Sequence, residues 1–209
     1  GSGEAIGIVI QALTDPGDVV LTEEFVYLGT MSQMRRYGAD VVGVKCDDDG
    51  ILPADLDTVI TEQTAKGKKV KYLYTIPTFQ NPQGWTMTLE RRRALLRLSQ
   101  RYAVPVLEDD CYVDLRFEGE PQPSIFSLDD TGSVMYVASF SKIIAPGMRM
   151  GYSIARPEIS RRINSHKPCM FMGPLGSVAA SVSLEQTEFH SFCRARAKEG
   201  RQLVFGLCD

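Results

Sequence analysis

Short apolar runs alternate with longer amphipathic segments along most of this chain. Residues 18–23, 39–45, 70–76, 103–109, 133–139 and 150–155 are rich in β-branched side chains and show little strict alternation. That pattern predicts strands covered on both faces. Between them, residues 4–13, 26–37, 53–65 and 88–101 carry helical periodicity. The second-last of these opens on Pro53 with Asp55 in its first turn. The last has Thr88 as its N-cap and a stripe of Leu89, Leu95, Leu96 and Leu98. Strand–helix alternation of this kind predicts an α/β fold, a three-layer sandwich with a mostly parallel sheet. No repeat or linker interrupts it before about residue 156, and a helix-rich C-terminal stretch follows.

Composition narrows the class without changing it. The chain has 209 residues, 44% hydrophobic and 23% charged, with a net charge of −3. Nothing in that balance points to nucleic acid or an anionic membrane surface. No apolar run reaches the ~20 residues that span a bilayer. The five cysteines, Cys46, Cys111, Cys169, Cys193 and Cys208, have no regular spacing and no C-x-x-C pair. They suit a reducing, cytoplasmic setting better than a disulfide framework. His190 and Cys193 read as helix-surface residues and not as a metal site. The start on "GSGEAIG" and the end just after a helical stretch suggest a piece of something longer.

Candidate chemistry gathers at the carboxyl ends of the strands, where open parallel sheets bind ligands. After 70–76 comes "TFQNPQG", in which Asn81 can present an amide. After 103–109 come Asp109, Asp110 and Tyr112. After 133–139 comes "SFSK", with Ser139, Ser141 and Lys142, and then Arg149. A lysine at a partly buried strand end is the type of amine that serves as nucleophile and base. Serines and a forked arginine suit a phosphate. At the front, "GSGEA" leads into a helix whose first N–H groups can face an anion, although no strand precedes it as a dinucleotide fingerprint requires. Each feature has a plainer reading: a connecting turn, a solvated loop acid, a surface lysine, a salt-bridging arginine. Together they supply what pyridoxal phosphate needs, namely an amine, a carboxylate for the pyridine nitrogen, donors for the phenolic oxygen and an anion cradle.

The set "GDVVLTEEFVY", "PTFQNPQG", "EDDCY" and "SFSKIIAPGMRMGY", in that order, resembles the fold type I, class I/II aminotransferases. The branch is that of aminoadipate and kynurenine aminotransferases and of MocR-type effector domains. The resemblance runs from Gly1 to about Pro174. It implies pyridoxal 5'-phosphate as cofactor, an amino acid and a 2-oxo acid as substrates, and a homodimer. It further implies that Lys142 is the Schiff-base lysine and proton carrier, and that Asp109 keeps the pyridine nitrogen protonated. The D-x-x-Y spacing then puts Tyr112, with Asn81, on the phenolic oxygen. Ser139, Ser141 and Arg149 become phosphate ligands, joined by Ser2, Gly3 and Glu4 chiefly through backbone N–H groups. Tyr27 becomes the ring stacked on the pyridine, its plainer reading being a core tyrosine on an amphipathic helix.

The chain departs from the family in three ways. "EEFVY" replaces a proline-containing stretch, nothing matches the family's N-terminal segment, and nothing matches the small domain with its substrate-carboxylate arginine. The expected organisation is therefore a cofactor-binding large domain, residues 1–174, and the start of a connection, residues 175–209, that binds cofactor better than it turns over substrate. The alternatives are a regulator's cofactor-sensing domain and an inert fragment.

Overall fold

The computed structural model describes residues 1–167 and 174–208. In chain order the elements are α1 (Ser2–Leu13), β1 (Val19–Glu23), α2 (Leu28–Arg36), β2 (Asp40–Val44), β3 (Cys46–Asp47), β4 (Gly50–Ile51), α3 (Pro53–Ala65), β5 (Val70–Thr75), α4 (Leu89–Tyr102), β6 (Val106–Asp109), α5 (Ile125–Leu128), β7 (Val134–Ser139), β8 (Gly151–Ile154), α6 (Pro157–Ser165), α7 (Pro174–Glu185) and α8 (Thr187–Cys208). Six strands form one sheet in the order β2-β1-β5-β6-β7-β8. All neighbours run parallel except β8, which pairs antiparallel with β7 at the edge. β3 and β4 make a separate small hairpin.

Alternation inside the strands sorts the two faces. Val20, Tyr72, Tyr74, Leu107, Met135 and Val137 pack against α1, α2 and α6. Val19, Leu21, Leu73, Val106 and Val134 pack against α3, α4 and α5. Every residue of β1 is buried, as a strand covered on both sides must be. The result is the three-layer α/β sandwich that the hydrophobic pattern predicts.

Most differences from the predicted elements lie at ends. The stretch predicted as a strand from residue 103 begins at Val106, because Ala103 is the left-handed cap of α4 and Val104 N–H bonds back to Ser99. The segment 26–37 becomes helical only at Leu28, with Tyr27 as its N-cap. The β3–β4 hairpin and α5 carry no periodic signal long enough to read. His190 and Cys193, expected on a helix surface, are half-buried on α8: the imidazole Nε2 meets the Ser183 carbonyl at 2.7 Å, and the thiol donates to the Ile143 carbonyl at 3.1 Å. Met170, Phe171 and Met172, which the sequence reads as ordinary core in preference to exposed apolar surface, lie outside the described residues.

Candidate functional site

Parallel strands that all point one way deliver their last residues to one edge of the sheet. There a cleft of about 180 Å³ is lined by Ser2, Gly3, Tyr27, Asn81, Asp109, Tyr112, Ser139, Ser141, Lys142 and Arg149. Ten of the residues singled out in the sequence thus meet in one place. Glu4 does not join them: its side chain is exposed, and its N–H turns back to the Gly1 carbonyl at 3.0 Å.

Asp109 ends β6 and is buried. Its Oδ2 accepts a hydrogen bond from the Tyr74 hydroxyl at 2.7 Å, while its Oδ1 has no partner among the described residues. Burial pushes its pKa up to about 6, against the opposing pull of the Tyr74 hydroxyl and of the neighbouring Cys111 thiol and N–H. Asp110 is also buried but faces away from the cleft's lining, its Oδ2 accepting from the Tyr136 hydroxyl at 3.2 Å. The two adjacent acids are separated by strand alternation, which sends consecutive side chains to opposite faces.

Tyr112 follows β6 and lies half-buried, its hydroxyl accepting from Asn81 Nδ2 at 3.3 Å. Burial raises its phenol above the ordinary value. Asn81 sits in the loop between β5 and α4. Lys142 lies in the turn after β7 with its Nζ 5.6 Å from the Tyr112 ring centre. The partial burial expected of it is not found, since the residue is exposed. Tyr27, at the entrance to α2, is 48% exposed and so presents an open ring face instead of packing in the core.

The other end of the cleft is built for an anion. Gly1 O accepts from Glu4 N and Ala5 N, so the N–H groups of Ser2 and Gly3 have no helical partner. The Arg149 guanidinium packs against that turn: a Cβ on Gly1 would lie 3.2 Å from its Nη2. Arg149 itself holds a left-handed backbone, φ 50°. Ser139, the last residue of β7, accepts the Ser141 N–H on its Oγ at 3.2 Å. Gly151 makes the close approach feasible, because a Cβ there would fall 2.6 Å from Ser2 N and 2.9 Å from Ala138 O.

Four further residues, Ile6, Thr30, Ile76 and Cys111, line the cleft without having been singled out as site residues in the sequence. Burial raises the Cys111 thiol above its usual range, which makes it a poor nucleophile. The anchoring tyrosine had a signal of its own. "VKYLYTI" puts two phenols on one face of a buried strand, and each hydroxyl then needs a partner. Tyr72 finds Thr14 at 3.0 Å, and Tyr74 finds Asp109 and, at 3.2 Å, Thr30.

Comparison with known proteins agrees with this geometry. The family model "Aminotransferase class I and II" matches residues 1–209. The chain is 39% identical over 167 residues to aromatic-amino-acid aminotransferase 1 of Thermococcus litoralis, covering 80% of this chain and 40% of that protein. It is 31% identical over 180 residues to the mitochondrial kynurenine/alpha-aminoadipate aminotransferase of Bos taurus, covering 83% and 42%. Among solved structures, the multiple substrate aminotransferase of Thermococcus profundus superposes with a TM-score of 0.92 at 32% identity, covering 99% of this chain and 52% of that one. The chain therefore spans two fifths to one half of the length of these relatives. They are named as aminotransferases, and none of the three as a regulator.

Proposed function

This chain belongs to the class I and II aminotransferases, and from that premise we propose that it forms the cofactor-binding part of an enzyme that moves an amino group between an amino acid and a 2-oxo acid. The observation that carries the reading is Asp109: a buried carboxylate with one oxygen anchored and the other unpartnered, lining a cleft that also presents a lysine amine. A buried acid left in that state calls for a cationic N–H partner. The pyridine nitrogen of pyridoxal 5'-phosphate meets that need, and the rest of the cleft suits the rest of the group. Asn81 and Tyr112 offer donors for the phenolic oxygen. The free N–H groups of Ser2 and Gly3, with Ser139, Ser141 and Arg149, suit the phosphate. Tyr27 offers its ring to the pyridine face.

When bound, the cofactor supplies an aldehyde for amines and a ring that takes up the electron pair left as the substrate Cα–H bond breaks. The protein's part is to hold and to move protons. Lys142 Nζ would hold the cofactor through its aldehyde and, once freed by the substrate amine, would carry the proton from Cα to the former aldehyde carbon. Asp109 would hold a proton on the ring nitrogen. Asn81 and Tyr112 hold negative charge on the phenolic oxygen. The groups suited to the phosphate would hold the cofactor in place, so that the substrate Cα proton stays within reach of Lys142.

The same reading makes residues 1–174 the cofactor-binding unit and 175–209 the start of a connection to further chain. It also makes the working enzyme a cytoplasmic homodimer. The described free cysteines Cys46, Cys111 and Cys193 support a reducing setting. The exposed Leu175, Val178 and Val182 of α7 give an apolar stripe suited to association. No helix among the described residues is long and apolar enough to cross a membrane.

Borohydride reduction of the protein loaded with pyridoxal phosphate tests the proposal. The expected product carries the cofactor covalently on Lys142, located by peptide mass, and Lys142→Ala carries none. Cofactor fixed elsewhere, or nowhere, overturns the reading.

A further inference from the structure

Arg92 lies on α4 and is fully buried. Its Nε donates to the Met87 carbonyl at 3.0 Å and its Nη1 to the Pro123 carbonyl at 3.2 Å. Its Nη2 donates to the Pro77 carbonyl at 2.9 Å and to Thr78 Oγ1 at 3.0 Å. Glu108 stands 3.8 Å away, but the two Glu108 oxygens are occupied by the N–H groups of Ile125 and Phe126. An arginine buried to neutralise a carboxylate turns its fork onto it. This one turns its fork onto backbone carbonyls.

Two of those three carbonyls have a common location. Pro77 and Met87 are the two ends of the loop that carries Asn81, and they are joined by a bond from Met87 N to Pro77 O at 2.8 Å. Within the loop, Gln80 N bonds to Trp85 O at 2.9 Å, and Gln80 Nε2 reaches the Phe25 carbonyl at 2.7 Å. Phe79 holds a left-handed backbone, φ 51°, which a bulky residue keeps only where its surroundings enforce it. At the loop's tip, the Asn81–Tyr112 contact of 3.3 Å is near the limit of a hydrogen bond. A small shift of the loop breaks it.

We infer that Arg92 is a positioning residue that clamps both ends of the loop 77–87 and so holds Asn81 against Tyr112. Its catalytic consequence rests on the aminotransferase reading. The clamp itself does not.

Hydrogen exchange read by mass spectrometry on the cofactor-free protein tests the clamp, comparing wild type with Arg92→Lys. Lysine keeps the charge but offers a single ammonium where the guanidinium spans four acceptors. The expected result is exchange at the amides of Gln80, Gly84 and Met87 faster by about tenfold or more, with β5 and α4 unchanged. In the holoprotein, kcat falls while KM stays near wild type, and the visible spectrum of the bound cofactor changes as it does in Asn81→Ala. Loop amides that stay protected, or exchange that quickens equally across the molecule, overturn the inference. So does a wild-type spectrum in Arg92→Lys where Asn81→Ala alters it. If Arg92→Lys does not fold, Thr78→Val removes one of the contacts at nearly constant volume, and unchanged loop exchange there is equally decisive against the clamp. A wild-type protein that binds no pyridoxal phosphate defeats the proposed function and leaves the exchange result to decide on Arg92.

Discussion

Asp109 shows how a single side chain is unfavourable for the fold and useful for the site. Its ionised form lies in a buried place with one oxygen unpartnered among the described residues, so the cofactor-free protein is weakened by it at neutral pH. Asp109→Asn keeps an oxygen for the Tyr74 hydroxyl and removes the charge. The cofactor-free variant is expected to gain on the order of 1–2 kcal/mol in denaturant unfolding at neutral pH. The same change is expected to slow amino-group transfer by roughly 100-fold or more, read in single-turnover absorbance. At this scale much of the site is legible in the sequence, because Lys142, Asp109, Tyr112, Asn81 and Arg149 stand in short ordered motifs. Thr30 and Arg92 are not legible as site residues. They act through contacts between elements far apart in the chain, and each on its own is an ordinary helix residue.

Among the elements, the sheet was readable because buried parallel strands leave dense β-branched runs. The direction of β8 was not, since an edge strand of four residues has the same composition whichever way it runs. Helix α4 was readable from its leucine stripe and from Thr88, whose Oγ1 accepts the Arg91 N–H at 3.4 Å. Thr88→Ala is expected to lower stability by about 1 kcal/mol, measured by denaturant unfolding with an unchanged m-value. Where α1 meets β8, the contact leaves no room for a side chain. Gly151→Ala puts a methyl against backbone atoms of the first turn of α1, and neither side can swing away. The expected outcome is weaker retention of pyridoxal phosphate, by about tenfold in fluorescence titration, with a far-ultraviolet spectrum that stays native. Wild-type retention would separate the anion cradle from the start of α1.

For the molecule as a whole, buried acids set the response to pH. Burial raises Asp109 to about 6 and Glu23 and Glu108 to about 7, although Glu23 accepts bonds from Thr75 and Ile76. A carboxylate whose folded pKa lies above its unfolded value binds its proton more tightly in the folded state. Its stabilising protonation is present at low pH and is lost as pH rises through the folded pKa. Asp15, Asp47 and Glu118 are shifted the other way by Lys71, Arg91 and Arg201, but they lie at the surface, where water and salt screen them. The cofactor-free protein is therefore expected to lose thermal stability between about pH 4 and pH 7, followed by calorimetry. A cofactor that supplies a cation to Asp109 should flatten that slope, and an identical slope with and without pyridoxal phosphate would argue against the pairing.

The approach of α1 to the end of β7 and to Arg149 also sets an order of events during synthesis. The carbonyl of Arg149 and the amino group of Gly1 meet across 148 positions of chain. The anion-holding end of the cleft draws on both, so nothing translated before β8 can contain a finished pocket. Ser2 and Gly3 are made long before the far edge strand, while β1, α2 and β5, which pack on the apolar face of α1, follow them sooner. On the proposed function, cofactor capture is thus a late event for the nascent polypeptide.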